Sequence, residues 1–294
     1  MRLWTLVLLA GCAKGKDAPR RPPAHDAAAA ATTTTAAAPD AAAAAATATT
    51  YPDLGAALTA IIPADARVVG FGELHVRTDR AQVKSSLAHF TAEGLPTIAD
   101  HLSDLIIETW IVDPKCGQQA KTATAKVEAT VKRPQETKSE IAQLADAARA
   151  AKIQPHAMTL KCEDYDKVAP QTGDVKPDLL LGLITSELGR IAEQAVLHRD
   201  REPNKRPWIA LYGGMLHNDR FPAAGVEQWS YAPRVDKTTN NHFVEVDLIV
   251  PELAEAEKAV QTEPWFALVK TAGPQVQVFK RGERSFVVIL PRTK

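Results

Sequence analysis

The chain is short of three things: an excess of charge of either sign, cysteine, and long apolar runs. Lys plus Arg and Asp plus Glu stand at 35 each. No electrostatic pull toward nucleic acid or an anionic surface follows from that balance, and nucleic acid is not expected as a partner. The 3 cysteines include no C-x-x-C pair, which argues against a cysteine-built metal site. No G-x-S-x-G pentad is present, so a serine hydrolase built on a nucleophile elbow has no anchor. A P-loop sequence is also missing, and there is no internal repeat. The apolar stretch Leu3 to Leu9 is too short to span a bilayer as a helix.

What is there begins with that same stretch. Arg2, the apolar run and Ala10-Gly11-Cys12 follow the order of a secretory signal. Leu9-Ala10-Gly11-Cys12 resembles the lipobox of bacterial lipoproteins, which implies a signal peptide over residues 1–11 and lipid on Cys12. Ala13-Lys14 lack the aspartate that marks inner-membrane retention, so an outer-membrane lipoprotein facing the periplasm is expected. Residues 12–50 are dominated by Ala, Thr and Pro. Side chains so small bury too little apolar surface to offset ordering entropy, so this segment reads as a disordered tether. With Cys12 lipidated, Cys116 and Cys162 remain, and an oxidising compartment makes a disulfide between them the expectation.

Residues 51–294 read as a single α/β domain with a mainly parallel sheet flanked by helices. Short β-branched or apolar runs are expected as strands at 67–71, 104–108, 153–160, 208–212 and 243–250. Helical spacing of apolar residues covers 77–93, ending at Gly94, two pieces within 117–151 broken near Pro134, and 178–198 with Asp178 as cap. A closing antiparallel hairpin joins 276–280 to 285–290. Ligands of such sheets bind beyond the carboxyl ends of strands.

Three of those ends carry unusual residues. After the first strand comes Gly72-Glu73-Leu74-His75, at the end of the second stands Glu108, and after the fourth comes Gly214-Met215-Leu216-His217-Asn218. Residues two apart in extended chain face the same way, so Glu73 and His75 converge. Imidazole with carboxylate is the donor set of a divalent transition metal. Gly70-Phe71-Gly72 begins like a dinucleotide fingerprint, but His75 occupies the third glycine position. A cysteine nucleophile with His156 as its base is the other catalytic arrangement, opposed by the expected pairing of the cysteines. The basic pairs Lys132-Arg133 and Lys205-Arg206 adjoin prolines and read as solvated loop charges.

The two G-x-x-H motifs, each after an apolar strand and with Glu108 between them, resemble the superfamily that joins Tiki metalloproteases, TraB-like proteins, erythromycin esterases and ChaN-like haem-binding lipoproteins. The G-E-x-H form of the first motif is most similar to the ChaN-like branch. The resemblance implies a metal-dependent hydrolase in which His75, His217 and Glu108 bind Mn, Co, Zn or Fe. Glu73 and Glu108 would act as the catalytic carboxylates, and Arg77, Arg80 and Asn218 would contact a small-molecule or peptide substrate. Its alternative implication is haem or another cofactor bound without catalysis, or a degenerate binding protein.

Overall fold

The computed structural model describes residues 6–8, 48–80, 82–202 and 205–293. The lipobox, Cys12 and most of the expected tether lie outside these residues. Strand β1 is Leu6–Leu8 and β2 is Ala48–Tyr51, followed by helix α1, Leu54–Ile61. Then come β3 Val68–Glu73, α2 Ser86–His89, α3 Leu95–Ile98 and β4 Leu102–Ile111. Helices α4 Gly117–Val131 and α5 Glu136–Ala150 precede β5 Gln154–Thr159, α6 Cys162–Val168 and α7 Pro177–Asp200. The second half holds β6 Trp208–Gly214, α8 Met215–Asn218, α9 Ala232–Thr238 and β7 Phe243–Ile249. It closes with α10 Pro251–Ala256, α11 Phe266–Lys270, β8 Val276–Gly282 and β9 Ser285–Ile289.

One sheet runs β5-β4-β6-β3-β7-β9-β8-β2, with β1 on the far end of β4. The pairs from β5 to β9 are parallel, and β8 is antiparallel to both β9 and β2. Parallel central strands are covered on both faces and so are apolar almost throughout. Every residue of β3, β6 and β7 is buried. Side chains alternate between the layers: Val69, Phe71, Leu105, Ile107 and Tyr212 pack toward α1, the α2–α3 segment and α5. Val68, Ile106, Ile209 and Leu211 pack toward α4, α7 and α9.

Several boundaries differ from the sequence expectation. Residues 78–80 form a 3-10 turn, and helix begins at Ser86, where the Ser85 hydroxyl accepts from Ala88 N at 2.9 Å. It does not stop at Gly94, because a π turn at 90–94 carries it into α3. A side chain on Gly94 would meet Phe90, which is why a glycine stands inside this helix. Lys176, not Asp178, occupies the cap of α7, with Pro177 in the first turn. The sheet takes in residues ahead of the expected domain start at 51, because Ala48–Tyr51 adds an edge strand to β8 and Leu6–Leu8 pairs with β4. Cys116 and Cys162 form a disulfide that ties the start of α4 to the start of α6, with Cα atoms 5.1 Å apart. Among the described residues no helix is long and apolar enough to cross a membrane.

Candidate functional site

Parallel pairing brings the carboxyl ends of β3 and β6 level, with Glu73 opposite Gly214. Glu108 reaches the same rim from β4, although it does not end that strand. It lies in the interval, between Ile107 and Trp110, where the pairing of β4 with β5 shifts register. Such an irregularity re-aims a side chain. The Glu108 carboxyl folds over the glycine pair after β6: Gly214 N donates to Glu108 Oε2 at 2.6 Å. A Cβ on Gly213 would collide with that carboxylate, and one on Gly214 would stand 2.7 Å from His75 Nε2. The glycines are there because two functional side chains occupy the space a methyl group would take.

Glu73 and His75 meet as their spacing suggests, with His75 Nδ1 2.8 Å from Glu73 Oε1. The second oxygen of Glu73 accepts from the Tyr212 hydroxyl at 2.7 Å. Burial pushes the Glu73 carboxyl up, but the hydrogen bond and charge of His75, aided by Arg133 and Tyr212, leave it below the usual carboxylate range. An ionised Glu73 can only accept, so Nδ1 of His75 carries a proton and Nε2 faces the rim. Nε2 lies 3.7 Å from Glu108 Oε1, and neither atom has a hydrogen-bond partner among the described residues. The His75 side chain is 11% exposed and Glu108 is 2% exposed.

His217, on α8, is held from behind in a comparable way. Its Nδ1 lies 2.9 Å from both the Trp229 carbonyl oxygen and Thr185 Oγ1. A carbonyl cannot donate, so Nδ1 carries the proton and Nε2 keeps its lone pair. That Nε2 is buried without a partner among the described residues. Burial lowers the pKa of His217 below that of an ordinary imidazole, against the opposing pull of Glu108. The charges of His75 and Arg133 also act on it, so both histidines, Glu108 and Arg133 share one electrostatic neighbourhood.

Arg133 is the member that sequence reading missed. It lies between α4 and α5, where Lys132-Arg133-Pro134 reads as a solvated loop. Lys132 adopts a left-handed backbone, φ 51°, and its carbonyl accepts from Thr78 N at 3.1 Å, which ties this loop to the turn after His75. Although the residue is partly exposed as a whole, Nε and Nη2 are buried and have no partner among the described residues. Burial lowers its pKa while Glu108 and Glu73 act to raise it. A left-handed non-glycine residue before it is a structural signal, but not one that sequence announces.

The other expected residues fall elsewhere. Arg77 is 53% exposed beside Asp79 at 3.6 Å, and Arg80 is exposed on the same turn, so neither joins the buried cluster. Asn218 is buried and serves the fold: its Nδ2 donates to the Gly70 carbonyl at 3.0 Å and to Asp247 Oδ1 at 3.3 Å. That packing explains Gly70 and Gly72, since a Cβ on Gly72 would meet Asp247, Asn218 and the Met215 backbone. His156 joins Asp104 at 2.8 Å, near the starts of β4 and β5.

The donor chemistry of His75 Nε2, His217 Nε2 and Glu108 Oε1 suits a divalent transition metal. Each group is fixed through its other polar atom, as ligands are when an outer set of bonds orients them. Their spacing as it stands does not complete such a site. Among the described residues no three of His, Cys, Asp and Glu are placed to hold an ion.

No family model, curated protein or solved structure matches this chain.

Proposed function

We propose that this rim is a hydrolytic centre in which His75 acts as general base, oriented by Glu73. The observation that carries the reading is the chain Tyr212 hydroxyl to Glu73 to His75 Nδ1, at 2.7 and 2.8 Å, which leaves a buried, unpartnered Nε2 aimed at the unpartnered oxygen of Glu108. A water bonded to both groups would give its proton to Nε2 and attack an acyl or phosphoryl centre. Glu73 stabilises the imidazolium that forms, which then returns the proton to the leaving group. Arg133, with two unsatisfied guanidinium nitrogens, holds the negative charge that develops. A guanidinium of this kind favours substrates that carry an anionic group beside the scissile bond.

A second reading is metal-assisted hydrolysis, favoured by the three lone pairs backed by hydrogen bonds. His75, His217 and Glu108 would then be the ligands, and a bound ion would lower the pKa of its water. The resemblance of the two G-x-x-H motifs supports it. Haem is supported less well, because the buried Tyr212 hydroxyl is committed to Glu73. An envelope protein anchored through lipid on Cys12 is the accompanying proposal, supported by Leu9-Ala10-Gly11-Cys12. It is tested by whether palmitate labelling disappears in Cys12→Ser.

The experiment for the site is hydrolysis of a panel of carboxyl and phosphate esters, each with and without a neighbouring carboxylate, by the full chain before and after chelation. Turnover that survives EDTA and falls in Arg133→Lys supports the general-base reading. Turnover abolished by EDTA and restored by Mn2+ replaces it with the metal reading. Wild-type rates no higher than those of His75→Gln on every substrate overturn both.

A further inference from the structure

A second site lies near the opposite edge of the sheet from His75. The starts of β4, β5 and β6 and the ends of α5 and α7 line an open cavity of about 690 Å3. Its walls include Arg149, Lys152, Arg199, Lys205 and Arg206 against a single carboxylate, Asp104. Two of these cations are the loop pair that sequence reading left in solvent. The fold gathers them with residues some fifty positions earlier in the chain.

Asp104 is already matched. It accepts from Arg199 Nη2 at 2.6 Å and Ser103 Oγ at 2.6 Å, and lies 2.8 Å from His156 Nε2. Its carboxyl is held far below the usual range: burial opposes this, but the bonds from His156, Ser103 and Arg199 prevail. Arg199 is 10% exposed, and its Nε is buried without a partner among the described residues. A buried guanidinium N–H left unpaired is costly and calls for an acceptor.

Arg206 is anchored through Nη1, which donates to the Leu102 and Ala151 carbonyls at 3.2 and 2.8 Å, while its Nη2 stands 3.9 Å from Asp100. Arg149 and Lys205 are held loosely. Arg149 pairs with Asp146 at 2.7 Å, where the side chains are 59% and 77% exposed. Lys205 lies 2.7 Å from Glu202. Exposed pairs contribute little, so an incoming anion can displace them. Lys152 has no side-chain partner among the described residues. The dipoles of α5 and α7 favour cations at their carboxyl ends and account for Arg149 and Arg199. They do not account for Lys152, beyond the α5 cap, or for Lys205 and Arg206, which precede β6.

We infer that this cavity binds a molecule carrying two or more phosphate groups. Guanidinium forks match phosphate oxygens in pairs. A volume near 690 Å3 is that of a small-molecule site, and one simple ion would leave most of it unfilled. The inference is independent of the chemistry proposed for His75.

The test is titration calorimetry of the full chain with inorganic tripolyphosphate, together with co-sedimentation on phosphatidylcholine vesicles with and without cardiolipin, whose headgroup carries two phosphates. Lys152→Glu and Lys205→Glu are compared with Lys237→Glu, an exposed residue on α9 that makes the same charge change outside the cavity lining. Saturable binding is expected, weakened about tenfold by each cavity reversal, unchanged by Lys237→Glu and reduced by added salt. Binding confined to cardiolipin vesicles, with the same dependence on the variants, keeps the site and makes a lipid headgroup with two phosphates its source. Absence of saturable binding in both arms overturns the inference, and so does an equal loss in Lys237→Glu.

Discussion

Replacing Gly214 by alanine separates the chemistry of the rim from the stability of the fold. The backbone there has φ −67° and ψ 138°, which any L residue adopts, so alanine brings no strain of its own. Its Cβ would lie 2.7 Å from His75 Nε2, whereas ordinary contact begins at 3.4 Å, so the imidazole edge must retreat by the difference, about 0.7 Å. Glu108 Oε2 lies 3.5 Å away and is not displaced. A misplacement near 1 Å costs about 100-fold in rate, so hydrolysis should fall roughly 50- to 100-fold. Fixing a glycine of compatible conformation stabilises by about 0.4–1 kcal/mol through the unfolded chain, which offsets much of the cost of moving the ring. The melting temperature should therefore stay within about 4 °C of wild type. The assay pairs thermal unfolding with hydrolysis of whichever substrate the wild type turns over. Gly72→Ala is the contrast: its Cβ meets Asp247, Asn218 and main chain at Met215, so that variant loses stability. Wild-type activity in Gly214→Ala refutes the crowding of His75 against the β6 rim, and so does a melting temperature as low as that of Gly72→Ala.

The disulfide closes a loop with a sequence separation of 46, for which chain entropy gives about 4 kcal/mol. Cys116→Ala/Cys162→Ala should lose up to that amount in denaturant titration, and an unchanged midpoint would contradict it. Asp247 has its carboxyl pKa raised well above the usual value by burial and by neighbouring Glu245. A raised folded-state pKa gives a contribution present below the unfolded value near 3.8 and lost as pH rises through the folded value. Asp247→Asn should thus match wild type near pH 4 and exceed it in melting temperature at pH 7; a lower melting temperature at pH 7 would show that the ionised form is needed.

Much of the architecture was legible because parallel strands buried on both faces must be apolar throughout, as Val68-Val69 and Trp208 to Leu211 are. The edge strand Ala48–Tyr51 was not, since Ala and Thr in a low-complexity stretch reveal a strand only once β8 offers an edge. The helix expected from Arg77 lost its first turns to polar residues, and its continuation past Gly94 depends on Phe90 filling the space a side chain would need. In the site, the spacing of Glu73 and His75 was readable because period two is local. The turn of Glu108 onto Gly213 and Gly214 was not, because a register shift belongs to two strands at once. Arg133 escaped because a basic residue next to a proline looks the same whether its loop faces water or folds over a rim. Lys205 and Arg206 escaped for the same reason.

Chemistry at the unpartnered Nε2 of His75 is what separates a hydrolytic centre from a structural network. The most direct measurement is the hydrolysis rate of His75→Gln relative to wild type, with circular dichroism showing both folded. Loss of a positioned general base predicts a fall of about 100- to 10,000-fold. Equal rates would make the cluster a structural network and remove the proposed centre.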